Sequence, residues 1–262
     1  MTLLSLDHLT IFDVSPPELI DIAAGLDVPL VSLWTQLPLK ADLPLVTQAN
    51  KGETLARMRA TGVKLGNMEC FNLTPEVVPE DFRPAVELGA ELGATSLVAI
   101  NAWDPQRSRA LDNFAALCRI AAEFGMKVNV EFISMGKVRT LEDAVAFITD
   151  SGQSNVGVTV DALHLVRTGG TADDTRKVDP KLIGYVQICD GPAGLAREEW
   201  NDEGFEQRQV PGEGEFPLAD IIAAVPPGVV IAAEVPQRSR REAGVSAAER
   251  ARLAVEGTRR LL

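Results

Sequence analysis

The sequence predicts an α/β fold, a single (β/α)8 TIM barrel occupying residues 1–262 as one domain. Three features lead there. A chain of 262 residues is a natural length for one such barrel. Short β-rich runs alternate with longer stretches of helical character, which implies a parallel sheet with crossover helices. The runs number eight, enough to close the sheet on itself.

In chain order the strand-like runs fall at 3–9, 29–35, 63–71, 96–101, 127–133, 157–163, 184–189 and 229–235. The segments between them open on helix caps. Ser15-Pro16-Pro17-Glu18 and Thr74-Pro75-Glu76 place proline in a first turn, where its missing N–H has no partner to lose. Thr140-Leu141-Glu142-Asp143 sets acids beside a helix N-terminus, where the helix dipole favours them. Leu92-Gly93 and Phe124-Gly125 read as helix ends with glycine stops. The stretch 246–262 repeats apolar residues at helical spacing through Ala247, Leu253, Ala254 and Leu261. A doubly wound open sheet is the structural competitor, but the Gly-rich phosphate turn usual after its early strands is missing. The one long irregular stretch, 190–214, is expected to be a lid that orders over substrate.

Composition narrows the function classes. With 46% hydrophobic and 24% charged residues the chain can bury a large core and stay in solution. Its net charge of −12 would repel nucleic acid and anionic membrane, so neither is an expected partner. No apolar run approaches the roughly 20 residues that span a bilayer. The N-terminus carries no basic leader with an apolar core, and the cytoplasm is the expected location. Cys70, Cys118 and Cys189 are odd in number and far apart, which argues against disulfides and a thiolate zinc site.

The chemistry concentrates at the ends of later strands. Lys127-Val128-Asn129-Val130-Glu131, Val158-Thr159-Val160-Asp161 and Ile231-Ala232-Ala233-Glu234 each finish on a carboxylate, and Tyr185-Val186-Gln187 offers an amide oxygen. Side chains alternate faces along a strand. One parity is branched and apolar (Val128, Val130, Val158, Val160, Val186, Ile188) and suits packing on helices. The other therefore points into the lumen and brings Glu131, Asp161, Gln187 and Glu234 together at the C-terminal mouth, where barrel active sites lie. Three carboxylates in a low-dielectric pocket need a cation or protons. One divalent metal ion resolves this, and an all-oxygen ligand set favours Mn²⁺ or Mg²⁺, with Co²⁺ or Zn²⁺ as alternatives.

These residues resemble the xylose isomerase-like TIM barrel superfamily of sugar isomerases, epimerases and dehydratases. That family takes Glu, Asp, His or Gln, and Glu after its fifth to eighth strands as metal ligands. The resemblance assigns those roles to Glu131, Asp161, Gln187 and Glu234, and makes Glu131 and Glu234 the acid/base pair as well. Asp161-Ala162-Leu163-His164 is similar to the family's Asp-x-x-His, and Pro211-Gly212-Glu213-Gly214-Glu215-Phe216-Pro217 to its Pro-Gly-x-Gly segment. Most branches carry His where this chain has Gln187; Gln resembles the hydroxypyruvate isomerase branch. The DNA-repair endonucleases of the superfamily need a histidine-rich multi-zinc site, which the two histidines here, His8 and His164, do not supply.

Other candidates stand beside plainer readings. His164 is placed at the start of a loop, where it would bind substrate or simply pack. Arg208 would clamp a substrate anion in bidentate fashion or lie on the surface. His8 would line the mouth or be a core histidine, and Trp34 and Glu69 would add an apolar wall and a polar contact. Arg238, Arg240 and Arg241 read as a solvated run more readily than as an anion site. Cys189 reads as packing, since no base lies near it in sequence.

The expected function is a metal-dependent isomerase or epimerase of a small hydroxycarbonyl compound or sugar, working through an enediolate. A dehydratase of a keto-cyclitol or dehydroshikimate-like substrate shares its first step and is the rival. A non-catalytic sugar-binding barrel, which would not need intact acid/base glutamates, is the third reading. A homo-oligomer is compatible with all three.

Overall fold

A computed structural model describes residues 3–38, 43–101 and 103–262. Its parallel strands close into a barrel in chain order: β1 (Leu3–Leu6), β2 (Leu30–Trp34), β3 (Lys64–Asn72), β4 (Ser96–Ile100), β5 (Lys127–Glu131), β6 (Val156–Asp161), β7 (Ile183–Ile188) and β8 (Val230–Ala233). Around them run α1 (Pro16–Gly25), α2 (Lys51–Thr61), α3 (Arg83–Glu91), α4 (Arg107–Glu123), α5 (Leu141–Asp150), α6 (Ala162–Arg167), α7 (Ala172–Lys177), α8 (Trp200–Glu206), α9 (Leu218–Ala224), α10 (Arg238–Glu242) and α11 (Ala247–Arg259). Among the described residues, no helix is long and apolar enough to cross a membrane.

Most of the expected caps form, but Thr74-Pro75-Glu76 opens no helix: 75–76 is a turn and α3 begins at Arg83. Ser15 Oγ accepts from the Glu18 N–H at 3.4 Å, ahead of Pro16 and Pro17 in the first turn of α1. Thr140 and Asp143 make a reciprocal capping box on α5. Gly125, at φ 70°, takes the left-handed turn after α4 that any Cβ would disfavour.

The main core lies between barrel and helices, where Val128, Val130, Val158, Val160, Val186 and Ile188 are fully buried. The opposite parity fills the lumen: Tyr185 and Gln187 of β7 reach across to Asp7, just past β1. β3 breaks the alternation. A register shift between Val31 and Ser32 of β2 skips Gly66, and a second lies between Met68 and Phe71. Leu65, Met68 and Phe71 therefore all join the outer core, while Asn67 donates to Glu69 at 3.1 Å.

Two expectations are corrected. The first strand stops at Leu6, not at residue 9. Thr10 donates to the Ala233 carbonyl and accepts from the Val235 N–H, both at 2.9 Å, so the chain folds over the end of β8 as a 3-10 turn, His8–Ile11. The stretch 190–214 is not irregular. It contains α8 and antiparallel bridges pairing Asp190 with Gln209 and Gln207 with Gln237. The Asp190 carboxylate accepts from the N–H groups of Gly191 (2.9 Å), Gly212 (2.9 Å) and Phe216 (3.0 Å). Arg167 of α6 grips Glu203 of α8 through Nε to Oε2 at 2.6 Å and Nη2 to Oε1, both side chains buried.

Candidate active site

A cleft of about 740 Å³ opens at the C-terminal mouth of the barrel. Trp34, Glu69, Glu131, His164, Arg208 and Glu234, all singled out in the sequence, line it. Asp161 and Gln187 lie fully buried beside it and bond to its lining residues Arg208 and Glu234. His8 does not line the cleft: it is stacked on Trp34 with ring centroids 4.7 Å apart, its Nε2 3.0 Å from the Val14 carbonyl. Burial lowers its pKa to about 4, so it packs as a neutral ring.

The floor holds five buried carboxyls: Asp7, Glu69, Glu131, Asp161 and Glu234. Asp161, at the tip of β6, also caps α6, its Oδ1 accepting from the Leu163 N–H at 2.7 Å. Its Oδ2 accepts from Arg208 Nη1 at 2.8 Å. The same Nη1 lies 2.9 Å from Glu234 Oε2, yet off the hydrogen-bonding direction, which leaves that oxygen without a directed partner. Arg208 is thus buried against internal acids, neither the surface residue nor the free anion clamp expected from sequence. No other arginine or lysine pairs with these five acids among the described residues.

Their proton affinities follow. Burial raises Glu131 to about 8, with Asp161 adding to the rise and Arg208 opposing it. Burial pushes Glu234 and Glu69 well above the carboxylate range; Arg208 opposes the rise at Glu234, and neighbouring acids add to it at both. Asp7 rises to about 6 through burial, moderated by its hydrogen bonds to Tyr185 and Gln187. Burial also acts against charge on Asp161, but Arg208 and His164 outweigh it and hold this carboxyl low.

His164 is on α6, one turn past Asp161, and not in a loop. Its Nδ1 lies 3.1 Å from Ser134 Oγ and 3.4 Å from the Ser134 N–H; the hydroxyl can donate or accept and the N–H can only donate, which favours the ring proton on Nε2, 3.8 Å from Glu131 Oε1. Burial lowers the ring to about 4, so it faces the cleft as a neutral donor.

Asp7 is the site residue that sequence reasoning missed. Tyr185 donates to its Oδ1 at 2.6 Å, and Gln187 Nε2 donates both to its Oδ2 at 3.2 Å and to Glu234 Oε1 at 2.9 Å. The signal was present: Ser5 and Asp7 share the polar parity of β1, opposite to Leu4 and Leu6. Apolar walls rise above the floor from Ile100, Trp103, Ile133 and Phe205. Arg238, Arg240 and Arg241 sit on α10, away from the cleft lining, paired with Asp202, Glu213 and Glu206. Cys189 is buried, 3.7 Å from Arg208 Nη1.

The donor set fits a hard divalent cation. Glu131, Asp161, Gln187 and Glu234 offer oxygens on consecutive strands or just beyond them, and Gln187 Oε1 and Glu234 Oε2 are buried with no hydrogen bond. Ligand atoms of Glu131, Asp161 and His164 lie within 4.8 Å of one another, and so do those of Asp7, Glu69 and Glu234, so the floor holds two neighbouring groups of possible ligands.

A barrel of this topology with an acidic floor defines a class, and the chain belongs to a family within it: the xylose isomerase-like TIM barrels, whose model matches residues 20–261. An inosose isomerase from Bacillus licheniformis is 27% identical over 53% of this chain and 52% of its own length. A D-psicose 3-epimerase from Enterocloster bolteae is 27% identical over 44% of this chain and 34% of its own length. The matched region thus spans about half or less of each of these relatives. In fold, the chain is similar to the crystal structure of an IOLI protein with a bound zinc atom, at TM-score 0.81 and 19% identity, covering 100% of this chain and 98% of that one.

Proposed function

We propose that the protein is a divalent-metal-dependent isomerase or epimerase of a small hydroxycarbonyl compound or sugar. One observation carries this reading: two buried glutamates from different sides of the mouth, Glu131 and Glu234, face one cleft whose acids have, among the described residues, a single arginine between them. The names of the two curated relatives, a sugar epimerase and an inosose isomerase, support it.

The ion would be held by Glu131, Asp161, Gln187 and Glu234, with Mn²⁺ or Mg²⁺ the best match to the oxygen donors. When bound, it supplies Lewis acidity that makes the C–H beside a carbonyl easier to ionise. The chain's own residues do the rest. One glutamate takes the proton from that carbon to leave an enediolate, and the other returns a proton at the neighbouring carbon or on the opposite face. His164 Nε2–H donates to a substrate oxygen near Glu131. Arg208 Nη2, with no acceptor among the described residues, is available to a second oxygen. Glu69 adds a polar contact, and Trp34 with Trp103 and Phe205 covers the C–H faces of a sugar and excludes water.

The test is proton NMR of keto-sugars, inososes and hydroxypyruvate in D2O with Mg²⁺. Deuterium exchange at the carbon beside the carbonyl, with a new isomer or epimer, is the expected result. Loss of water without isomer would assign the dehydratase reaction instead. Silence across the set, from protein shown to bind metal, would count against this chemistry.

A further inference from the structure

We infer that Asp7 is a positioning residue: it sets which end of the Gln187 amide faces the proposed ion. The inference rests on the metal reading above. A histidine ligand presents nitrogen whichever way its ring turns. A glutamine ligand presents oxygen in one orientation of its amide and an NH2 group, which repels a cation, in the other. A glutamine in this position therefore needs something to choose.

The structure contains the chooser. Gln187 Nε2 is spanned by two carboxylate oxygens, Asp7 Oδ2 at 3.2 Å and Glu234 Oε1 at 2.9 Å. With both carboxyls ionised, as they would be around a bound cation, turning the amide over would set its carbonyl oxygen against both, with no proton between. The planar amide consequently directs Oε1 away from both acids, and that oxygen is buried with no hydrogen bond. Asp7 is the half of this clamp that is neither a proposed ligand nor a proposed base. It is itself fixed: Oδ1 accepts from Tyr185 at 2.6 Å and from Ser5 at 3.3 Å, and both donors are buried. Glutamine at 187 and aspartate at 7 form one device, contributed by β7 and by the end of β1, the two strands that flank β8.

The experiment is a double-mutant cycle read as Mn²⁺ affinity, from the free-ion electron paramagnetic resonance signal, with no substrate present. Partners that orient a ligand typically matter 10–100-fold in metal affinity, and Asp7→Asn should lose affinity on that order, because an amide at position 7 can pair with either end of Gln187. In a Gln187→Glu background both oxygens at 187 are equivalent and nothing remains to orient. There Asp7→Asn should cost nothing, or improve affinity by removing a like charge. Equal losses in both backgrounds would mean that Asp7 acts only through its charge or its packing, and would overturn the inference while leaving the metal site standing. Wild-type protein that binds no divalent ion would overturn both. Should Asp7→Asn fold poorly by circular dichroism, Tyr185→Phe loosens Asp7 from outside the ligand set. It should show a smaller loss with the same dependence on residue 187; no such dependence would refute the idea.

Discussion

Arg167 meets Glu203 one to one, with two parallel hydrogen bonds, the Phe216 ring against its guanidinium and the Pro192 carbonyl on Nη1 at 2.9 Å. Arg208 is equally buried but serves Asp161 and Glu234 together, within a set of five carboxyls. The first pair leaves no charge unmatched. It fastens the cover of the cleft, α8, to the wall. The second leaves negative charge in excess and two oxygens without directed partners. Buried charge that balances fixes a structure, and buried charge that does not balance is poised to take up a cation or a proton.

The largest expected effect tests the unbalanced side. Glu131→Gln and Glu234→Gln keep an oxygen in place but remove a base, so turnover should fall on the order of 10²–10⁴-fold and saturating Mn²⁺ should not restore it. One variant can retain solvent exchange at the substrate carbon while failing to complete the reaction. Near-wild-type turnover in either would reduce that glutamate to a ligand.

Stability sharpens the contrast between the arginines. Glu203→Gln strands the Arg167 charge in the interior and should cost about 3–5 kcal/mol in urea unfolding, with or without metal. Arg208→Met strands Asp161 instead and should cost a similar amount in chelator-treated protein. Added Mn²⁺ should then recover much of the loss only for Arg208→Met. Equal recovery in both variants would erase the distinction.

A smaller effect lies in pH. Glu131 is raised to about 8 from 4.5, so the folded protein binds more protons than the unfolded chain between those values. Its contribution to stability is complete below the lower value and is lost as pH rises to the upper one. His164, lowered to about 4 from 6.5, acts with the opposite sign: its contribution is present above 6.5 and lost as pH falls. In metal-free protein the melting temperature should therefore decline between pH 6.5 and 8, outside the histidine's window. Glu131→Gln should make the decline shallower, with Glu69 and Glu234 carrying what is left; an unchanged slope would place the proton elsewhere. Smallest of all, Arg238→Ala removes an exposed pair with Asp202 and should leave melting and turnover unchanged within error.

The barrel and most of its floor were legible because β5, β6 and β8 alternate cleanly, β7 does so past the irregularity at Gly184, and each carries its acid or amide at the tip. Alternation did not decide every case: Glu69 was named although β3 breaks it, and Asp7 was missed although the end of β1 keeps it. On β3 the outward residues Leu65, Met68 and Phe71 are spaced by three, because Gly66 sits in a bulge. Simple alternation from Leu65 would have turned Glu69 outward. On β1 the error was one residue, attention falling on His8 when its neighbour had the lumen parity. Arg208 was seen, but nothing local announces that its partners are Asp161 and Glu234, 47 and 26 residues away. The fastening of 190–214 was hidden for the same reason, since Arg167 and Glu203 pair across 36 residues.

The short helix α6 spaces Asp161, His164 and Arg167 three residues apart. Asp161 reaches the floor, His164 the wall and Arg167 the cover, so about 1.7 turns of backbone hold three parts of the site in a fixed phase. Each added or deleted residue rotates whatever follows by about 100°. Chains that tolerate length changes freely in their surface loops should therefore show none between 161 and 167, and grafting a different cover onto this barrel would have to begin after that helix.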